Sequence, residues 1–333
     1  MGITLVTGAA GFIGSHLTEA LLKSGRKVRA FVQKDNLHLD YVRGLGAEMV
    51  YGDLLDKESL VTALCGVDEV FHLAAKVRPQ HWFYSRTGLA KELETVNNIG
   101  TRNLADLSKN KVKTFVYYSS IAAAGVRPLM DETSDALPEM EYGQSKYDAE
   151  QYLLELCKNE GFPVKIVRPG SVYGPRHLNM TVVFKFLKYS FFPFFGKGNN
   201  LVSLVYVKNL VDATLLVAEK APYGEKYFVM DEPMTLRKFF EGLASAMGVR
   251  LSGFYVPIWM IYGGVLVKES LERLFFFRFF PMRMDIRMNT AKMFCADWVC
   301  SNEKIKKLGW KPAVGLEESL RRTVQWYKDN GLA

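Results

Sequence analysis

The sequence predicts an α/β protein, a doubly wound parallel sheet with a smaller C-terminal lobe laid over its edge. Three observations predict it. Short apolar runs alternate with helical patterns through the first half of the chain. A glycine-rich turn joins the first run to the first helix. Near Asn179 the alternation stops and the sequence becomes aromatic and basic. Strands buried on both faces read as continuous apolar runs, and their repeated alternation with helices implies parallel crossovers.

The runs are Ile3–Val6, Lys27–Val32, Glu48–Tyr51, Glu69–Leu73, Thr114–Tyr118 and Lys165–Val167. Helical stretches at Gly14–Lys23, Ser59–Cys65, Thr101–Asn110 and Tyr142–Asn159 separate them. A dinucleotide-binding domain is expected over residues 1–178, with segments near 200–230 returning to it. Residues 179–333 are expected to form mainly a substrate lobe at the carboxyl edge of the sheet, where ligands of such folds bind.

Composition narrows the function. The 333 residues are 49% hydrophobic and 23% charged, enough to bury a large core. Four cysteines in so long a chain make no disulfide framework, and Cys295 and Cys300 lack the spacing of a zinc site, so no metal is expected. The net charge is +8, but Lys and Arg are scattered and no nucleic-acid module is present. An anionic cofactor or a membrane surface accounts for the excess as well. Ile3-Thr4-Leu5-Val6 is too short for a signal core and runs into glycine, so a cytoplasmic protein is expected.

Leu5-Val6-Thr7-Gly8-Ala9-Ala10-Gly11-Phe12-Ile13-Gly14 leaves the first strand and opens the first helix. Gly8 permits the tight turn, Gly11 lets backbone approach a pyrophosphate at the helix N-terminus, and Gly14 lets the helix pack on the sheet. The spacing is GxxGxxG. An NAD site usually places an acid about 20 residues on, for the ribose hydroxyls. Here Val32 is followed by Gln33 and Lys34, with Asp35 nearby. Lys34 suits a 2′-phosphate, with Arg29 a weaker helper, which tips the expected cofactor from NAD towards NADP. A solvated loop lysine is the alternative.

Tyr142-Gly143-Gln144-Ser145-Lys146 sets a tyrosine and a lysine four apart at a helix start, on one face. A phenol near pKa 10 is a poor base at neutral pH, and a neighbouring ammonium favours its phenolate. Upstream, Tyr117-Tyr118-Ser119-Ser120 ends a strand with two hydroxyls, one of which can bond the same substrate oxygen.

These residues resemble the extended short-chain dehydrogenases/reductases, a Rossmann-fold family, over essentially the whole chain. The resemblance includes the glycine turn, Gly52-Asp53-Leu54, Phe71-His72-Leu73-Ala74-Ala75, Val96-Asn97-Asn98-Ile99-Gly100-Thr101 and the serine strand. It continues through Tyr142 and Lys146, Arg168-Pro169-Gly170-Ser171-Val172-Tyr173-Gly174-Pro175, Val205–Ala213 and Lys307–Pro312. It implies that Tyr142 is the acid/base, that Lys146 lowers its pKa and binds the nicotinamide ribose, and that Ser120 orients the substrate oxygen, with Ser119 the rival. It implies that Gly8, Ala10, Gly11, Phe12, Ile13, Gly14, Gln33, Lys34, Asp53, Leu54, Leu73, Ala74, Ala75, Asn97, Ser119, Pro169 and Val172 contact the cofactor. Asp53 would hold the adenine amino group, and Asn97 would act through backbone geometry. His72 and His177 read as structural. A homodimer is implied as well.

Two departures separate the branches. The acidic pair that dehydratases carry after the strand-end hydroxyl is replaced by Ile121 and Ala122. The arginine that nucleotide-sugar enzymes use against a diphosphate falls at Val202, with Lys197, Arg283 or Arg287 as substitutes. The lobe is rich in apolar runs: Phe191–Phe195, Leu251–Val267 and Leu274–Met282. They suit a greasy substrate pocket or a peripheral membrane contact with Lys268, Arg273, Arg278 and Arg283 near headgroups; ordinary core is the alternative. The pattern resembles the branch of 3β-hydroxysteroid dehydrogenases and dihydroflavonol reductases. The expectation is an NAD(P)-dependent oxidoreductase interconverting a secondary alcohol and a ketone on a steroid-, isoprenoid- or polyketide-like substrate. A nucleotide-sugar 4-epimerase with tightly held NAD and a non-catalytic dinucleotide sensor or scaffold are the alternatives.

Overall fold

The structure is a computed structural model that describes residues 2–36, 38–77, 89–274 and 295–333. The run after Leu274, with Arg278, Arg283 and Arg287, lies outside the described residues.

The first half alternates as its apolar runs require: β1 (Ile3–Thr7), α1 (Phe12–Lys23), β2 (Lys27–Val32), α2 (Leu39–Gly44), β3 (Glu48–Tyr51), α3 (Lys57–Ala63) and β4 (Val67–His72). Then come α4 (Leu89–Leu93), a π-helical turn (Glu94–Ile99), α5 (Gly100–Ser108), β5 (Thr114–Tyr118), α6 (Glu141–Glu160) and β6 (Val164–Pro169). The later elements are β7 (Ser171–Tyr173), α7 (Thr181–Lys188), β8 (Phe191–Phe195), β9 (Leu201–Val202), β10 (Leu204–Tyr206), α8 (Val207–Lys220) and β11 (Lys226–Val229). The chain ends with β12 (Met234–Thr235), α9 (Leu236–Met247), β13 (Ser252–Val256), α10 (Ile258–Leu274), α11 (Glu303–Lys307) and α12 (Leu316–Asp329).

Seven strands form one sheet in the order β11-β6-β5-β4-β1-β2-β3. Every pairing is parallel. The order reverses between β1 and β4, which opens a crevice at their carboxyl ends. One face of the sheet is closed by Val6, Leu17, Leu21, Leu210 and Val217, the other by Leu5, Val70, Phe115, Leu104 and Leu153. A third apolar cluster holds the later elements together around Phe184, Phe194, Leu204, Phe240 and Tyr327. Its strands are two to five residues long and pair only two at a time, β7 with β10, β9 with β12 and β8 with β13.

Candidate active site

The turn after β1 closes on itself. Gly8 adopts φ +68° and Gly11 N–H donates to its carbonyl at 2.9 Å. A Cβ on Gly8 would stand 2.8 Å from the Ala74 backbone nitrogen, and one on Gly14 2.1 Å from the Gly8 carbonyl oxygen. Neither contact has room, so glycine at both sites lets α1 sit flush on the turn. Gly11 caps α1 without a side chain, so the first-turn N–H groups face outward, as an anion site requires.

A cavity of about 630 Å³ runs from this turn along the strand ends. Of the predicted cofactor contacts, Gly8, Gly11, Gln33, Asp53, Leu54, Leu73, Ala74 and Ala75 line it. Ala10, Phe12, Ile13, Gly14, Lys34, Asn97, Ser119, Tyr142, Lys146, Pro169 and Val172 do not. Gln33 and Asp53 meet at its far end, Nε2 to Oδ2 at 2.9 Å. Lys34 is exposed beside them. Arg29 faces elsewhere: its guanidinium donates to the Ala63 and Cys65 carbonyls and pairs with Glu48, so it is no helper to Lys34.

Next to the cavity the strand ends carry a buried polar chain. His72 lies between Thr7 Oγ1 (2.6 Å) and Thr101 Oγ1 (2.8 Å). Thr101 spends its own proton on the Asn97 carbonyl, so His72 Nε2–H donates to Thr101 and Nδ1 accepts from Thr7. Burial, with the Lys146 charge nearby, holds His72 neutral, well below its ordinary range. The Asn97 side chain, not its backbone alone, ties the site together. It accepts from Lys76 N–H at 2.7 Å and donates to the Lys76 carbonyl and to Ser145 Oγ, both at 3.0 Å. The loop after β4 is thereby fastened to α6.

Helix α6 carries Tyr142 and Lys146. Its first turn packs on the short helical turn Ile121–Ala123, which Ser120 caps by accepting from Ala122 N–H at 3.1 Å. Gly143 makes this approach feasible: a Cβ there would fall 2.3 Å from the Ala122 carbonyl oxygen. Of the two candidate hydroxyls, Ser119 Oγ is buried with no hydrogen-bond partner, whereas Ser120 is only partly buried.

Burial dominates the electrostatics of the pair. It pushes Tyr142 up to about 12 and Lys146 down to about 7, the latter opposed by Glu150. Burial sets the direction of the phenol's shift. Lys146 Nζ sits 4.4 Å over the Tyr117 ring. One further turn along, Glu150 forms a bidentate pair with Arg168, both fully buried, with Nε to Oε1 at 2.8 Å. Sequence reasoning missed Gly143 and Glu150. The spacing marks only Glu150's face, since Tyr142, Lys146 and Glu150 fall at i, i+4 and i+8; Gly143 carries no such signal.

A seven-stranded parallel sheet with a glycine turn at its switch point defines a Rossmann-type dinucleotide-binding protein, and the serine strand end facing a Tyr-x-x-x-Lys helix gives it the layout of an extended short-chain dehydrogenase/reductase. The chain belongs to the NAD dependent epimerase/dehydratase family, whose model matches residues 4–229. It is an NAD(P)-dependent short-chain dehydrogenase/reductase of the extended type. It is 32% identical to the sterol demethylase protein B of Methylococcus capsulatus, over 99% of both chains. It is 30% identical to the 4-hydroxy-2-methyl-3-oxo-4-farnesyl-3,4-dihydroquinoline-1-oxide ketoreductase of Stigmatella aurantiaca, over 81% of this chain and 80% of that one. The crystal structure of the Thermus thermophilus UDP-glucose 4-epimerase in complex with NAD superimposes with a TM-score of 0.73 at 25% identity, covering 98% and 99% of the chains.

Proposed function

We propose that this protein interconverts a secondary alcohol and a ketone on a hydrophobic ring or isoprenoid-like substrate, at a site formed by Ser120, Tyr142 and Lys146. The observation that supports the reading is the seating of α6 on the Ser120 turn through Gly143, which brings the helix that carries Tyr142 and Lys146 against the strand end that carries Ser120. The cavity fits the cofactor, because Gly8 and Gly11 leave it a bare backbone wall and Gln33 and Asp53 supply polar groups at the far end.

When bound, the nicotinamide dinucleotide supplies or accepts the hydride. Tyr142 Oη exchanges the proton with the substrate oxygen. Ser120 Oγ already accepts from Ala122 N–H, so its own proton is available to bond that same oxygen. Lys146 supplies positive charge that stabilises Tyr142 as it loses its proton, and the Glu150 carboxylate opposes the burial that lowers Lys146. Ile121 and Ala122 offer no carboxyl for dehydration, and Val202 offers no charge for a diphosphate. The sterol and farnesyl-quinoline chemistry named for two relatives supports an apolar substrate. The exposed Lys34 favours NADP within this site.

The test begins with the purified protein. It is denatured and the released dinucleotide quantified, then native protein is titrated with NADPH and NADH and assayed with apolar cyclic ketones. The reading expects little retained cofactor, reversible binding, and reduced-cofactor oxidation that requires the ketone. Near-stoichiometric NAD that survives dialysis, with 4-epimerisation of a nucleotide sugar, would overturn it.

A further inference from the structure

The later elements break the usual rule for helices. α7 buries Phe184 and Leu187 but turns Val182 and Phe186 outward, at i and i+4, and Tyr189, which follows its last residue, is exposed as well. α10 buries Val265 and turns outward Trp259, Met260, Leu266 and Val267, at i, i+1, i+7 and i+8. Each helix thus carries a second apolar stripe on its solvent side. The two flank one ribbon. α7 leads directly into β8, β8 pairs with β13, and a Cβ on Gly196 would touch the Ile258 side chain at the start of α10 at 3.0 Å. β13 adds Phe254 and Tyr255, both exposed. Among the described residues, half of the 20 large apolar side chains that stand exposed fall within residues 182–189 and 254–267.

Charge selects the occupant. Residues 177–206 and 242–267 contain no Asp or Glu, whereas Lys185, Lys188, Lys197 and Arg250 are all exposed. Lys185 borders the α7 stripe, one residue from Phe186. Glu269 and Glu272 follow only further along α10; an apolar surface with a cationic rim repels a second copy of itself electrostatically and complements an anionic bilayer. Trp259, 73% exposed, and Tyr189, 81% exposed, are residue types that settle at headgroup level. No described helix is long and apolar enough to cross a membrane, so the contact is one that lies in the interface.

We infer that the α7–β8–β13–α10 face docks on an anionic lipid bilayer, which extends the apolar-substrate reading and rests on it for its use but not for its evidence. The test is co-sedimentation of the full chain with vesicles of phosphatidylcholine alone and of phosphatidylcholine mixed with phosphatidylglycerol, at rising salt. Binding should favour the anionic vesicles, weaken with salt, and shift tryptophan fluorescence to the blue, a shift that Trp259→Phe reduces. Lys185→Glu with Lys188→Glu should weaken anionic binding by about tenfold or more, while turnover of a short water-soluble ketone stays at the wild-type rate. Trp259→Ser with Leu266→Ser should weaken binding to both vesicle types.

Failure of the wild type to sediment with anionic vesicles at low salt would overturn the inference. So would a dimer in solution that Trp259→Ser dissociates, with vesicle binding unaffected by that change. Vesicle binding without turnover of any apolar ketone would defeat the substrate reading alone, and turnover without vesicle binding the docking alone.

Discussion

The two halves of this molecule treat the same kinds of residue in opposite ways. Around the sheet, polar groups are buried and paired, as in Thr7–His72–Thr101 and Glu150–Arg168. Around the β8–β13 ribbon, large apolar groups are exposed and rimmed with lysine. Buried polar groups must be satisfied within the protein, so they hold one geometry, which a proton-transfer site needs. Exposed apolar groups gain nothing from folding and gain on meeting a second apolar phase. The difference separates a part built to position from a part built to engage.

The largest effect expected on this contrast is at Gly14. Gly14→Ala puts a methyl 2.1 Å from the Gly8 carbonyl oxygen, against backbone that has nowhere to move. Isothermal titration should show cofactor binding abolished. Retained affinity would mean the turn is looser than drawn. Next, Glu150→Ala leaves Arg168 charged and buried without its partner, a loss of about 3–5 kcal/mol in unfolding experiments. A loss no larger than that of a surface change would show that water reaches the pair.

Acid should weaken the first half through its histidines. Burial holds His16 at about 3 and His177 at about 4, and His72 well below its ordinary 6.5. The unfolded chain therefore takes up protons below pH 6.5 that the folded chain refuses, and stability falls as pH drops from there. Each such proton contributes about 1.4 kcal/mol per pH unit. Asp231, raised to about 6 by burial, and Glu132, also raised by burial, work the other way, but burial lowers His38 as well, and two carboxyls do not cancel four histidines. The thermal midpoint should drop between pH 7 and pH 5. A flat or rising profile would contradict the buried neutral state. The smallest effect is at Trp259: for so exposed a side chain, Trp259→Ala should change unfolding stability by less than about 0.5 kcal/mol. A large loss would mean the face is covered.

Legibility followed the same divide. The glycine turn could be read because Gly8, Gly11 and Gly14 sit where a strand period gives way to a helix period, and each answers a steric need. The six runs match β1 to β6 because parallel strands buried on both faces are continuously apolar. β11 was not recognised as a strand, being four residues that follow a helix with no further repeat. Glu150 reads as a surface acid on an amphipathic helix until the partner from β6 is seen. In the later half, strands of two or three residues carry no period at all. The Leu251–Val267 run suits core, a substrate pocket or a membrane surface, and only the helix geometry shows which side chains turn outward. Of the cofactor contacts expected by resemblance, Gly8 and Gly11 of the turn, Gln33 after β2 and those on the β3 and β4 loops line the cavity, whereas Pro169 on β6 and Val172 on β7 do not.

The claim at the centre is that Tyr142 moves the proton at the substrate oxygen. Its most direct test is Tyr142→Phe, which keeps the ring and removes only the hydroxyl. The rate of ketone-dependent NAD(P)H oxidation and the cofactor dissociation constant are measured on the same preparation. The account predicts a fall in turnover of about 10²–10⁴-fold with cofactor affinity unchanged. Turnover at the wild-type rate would contradict it.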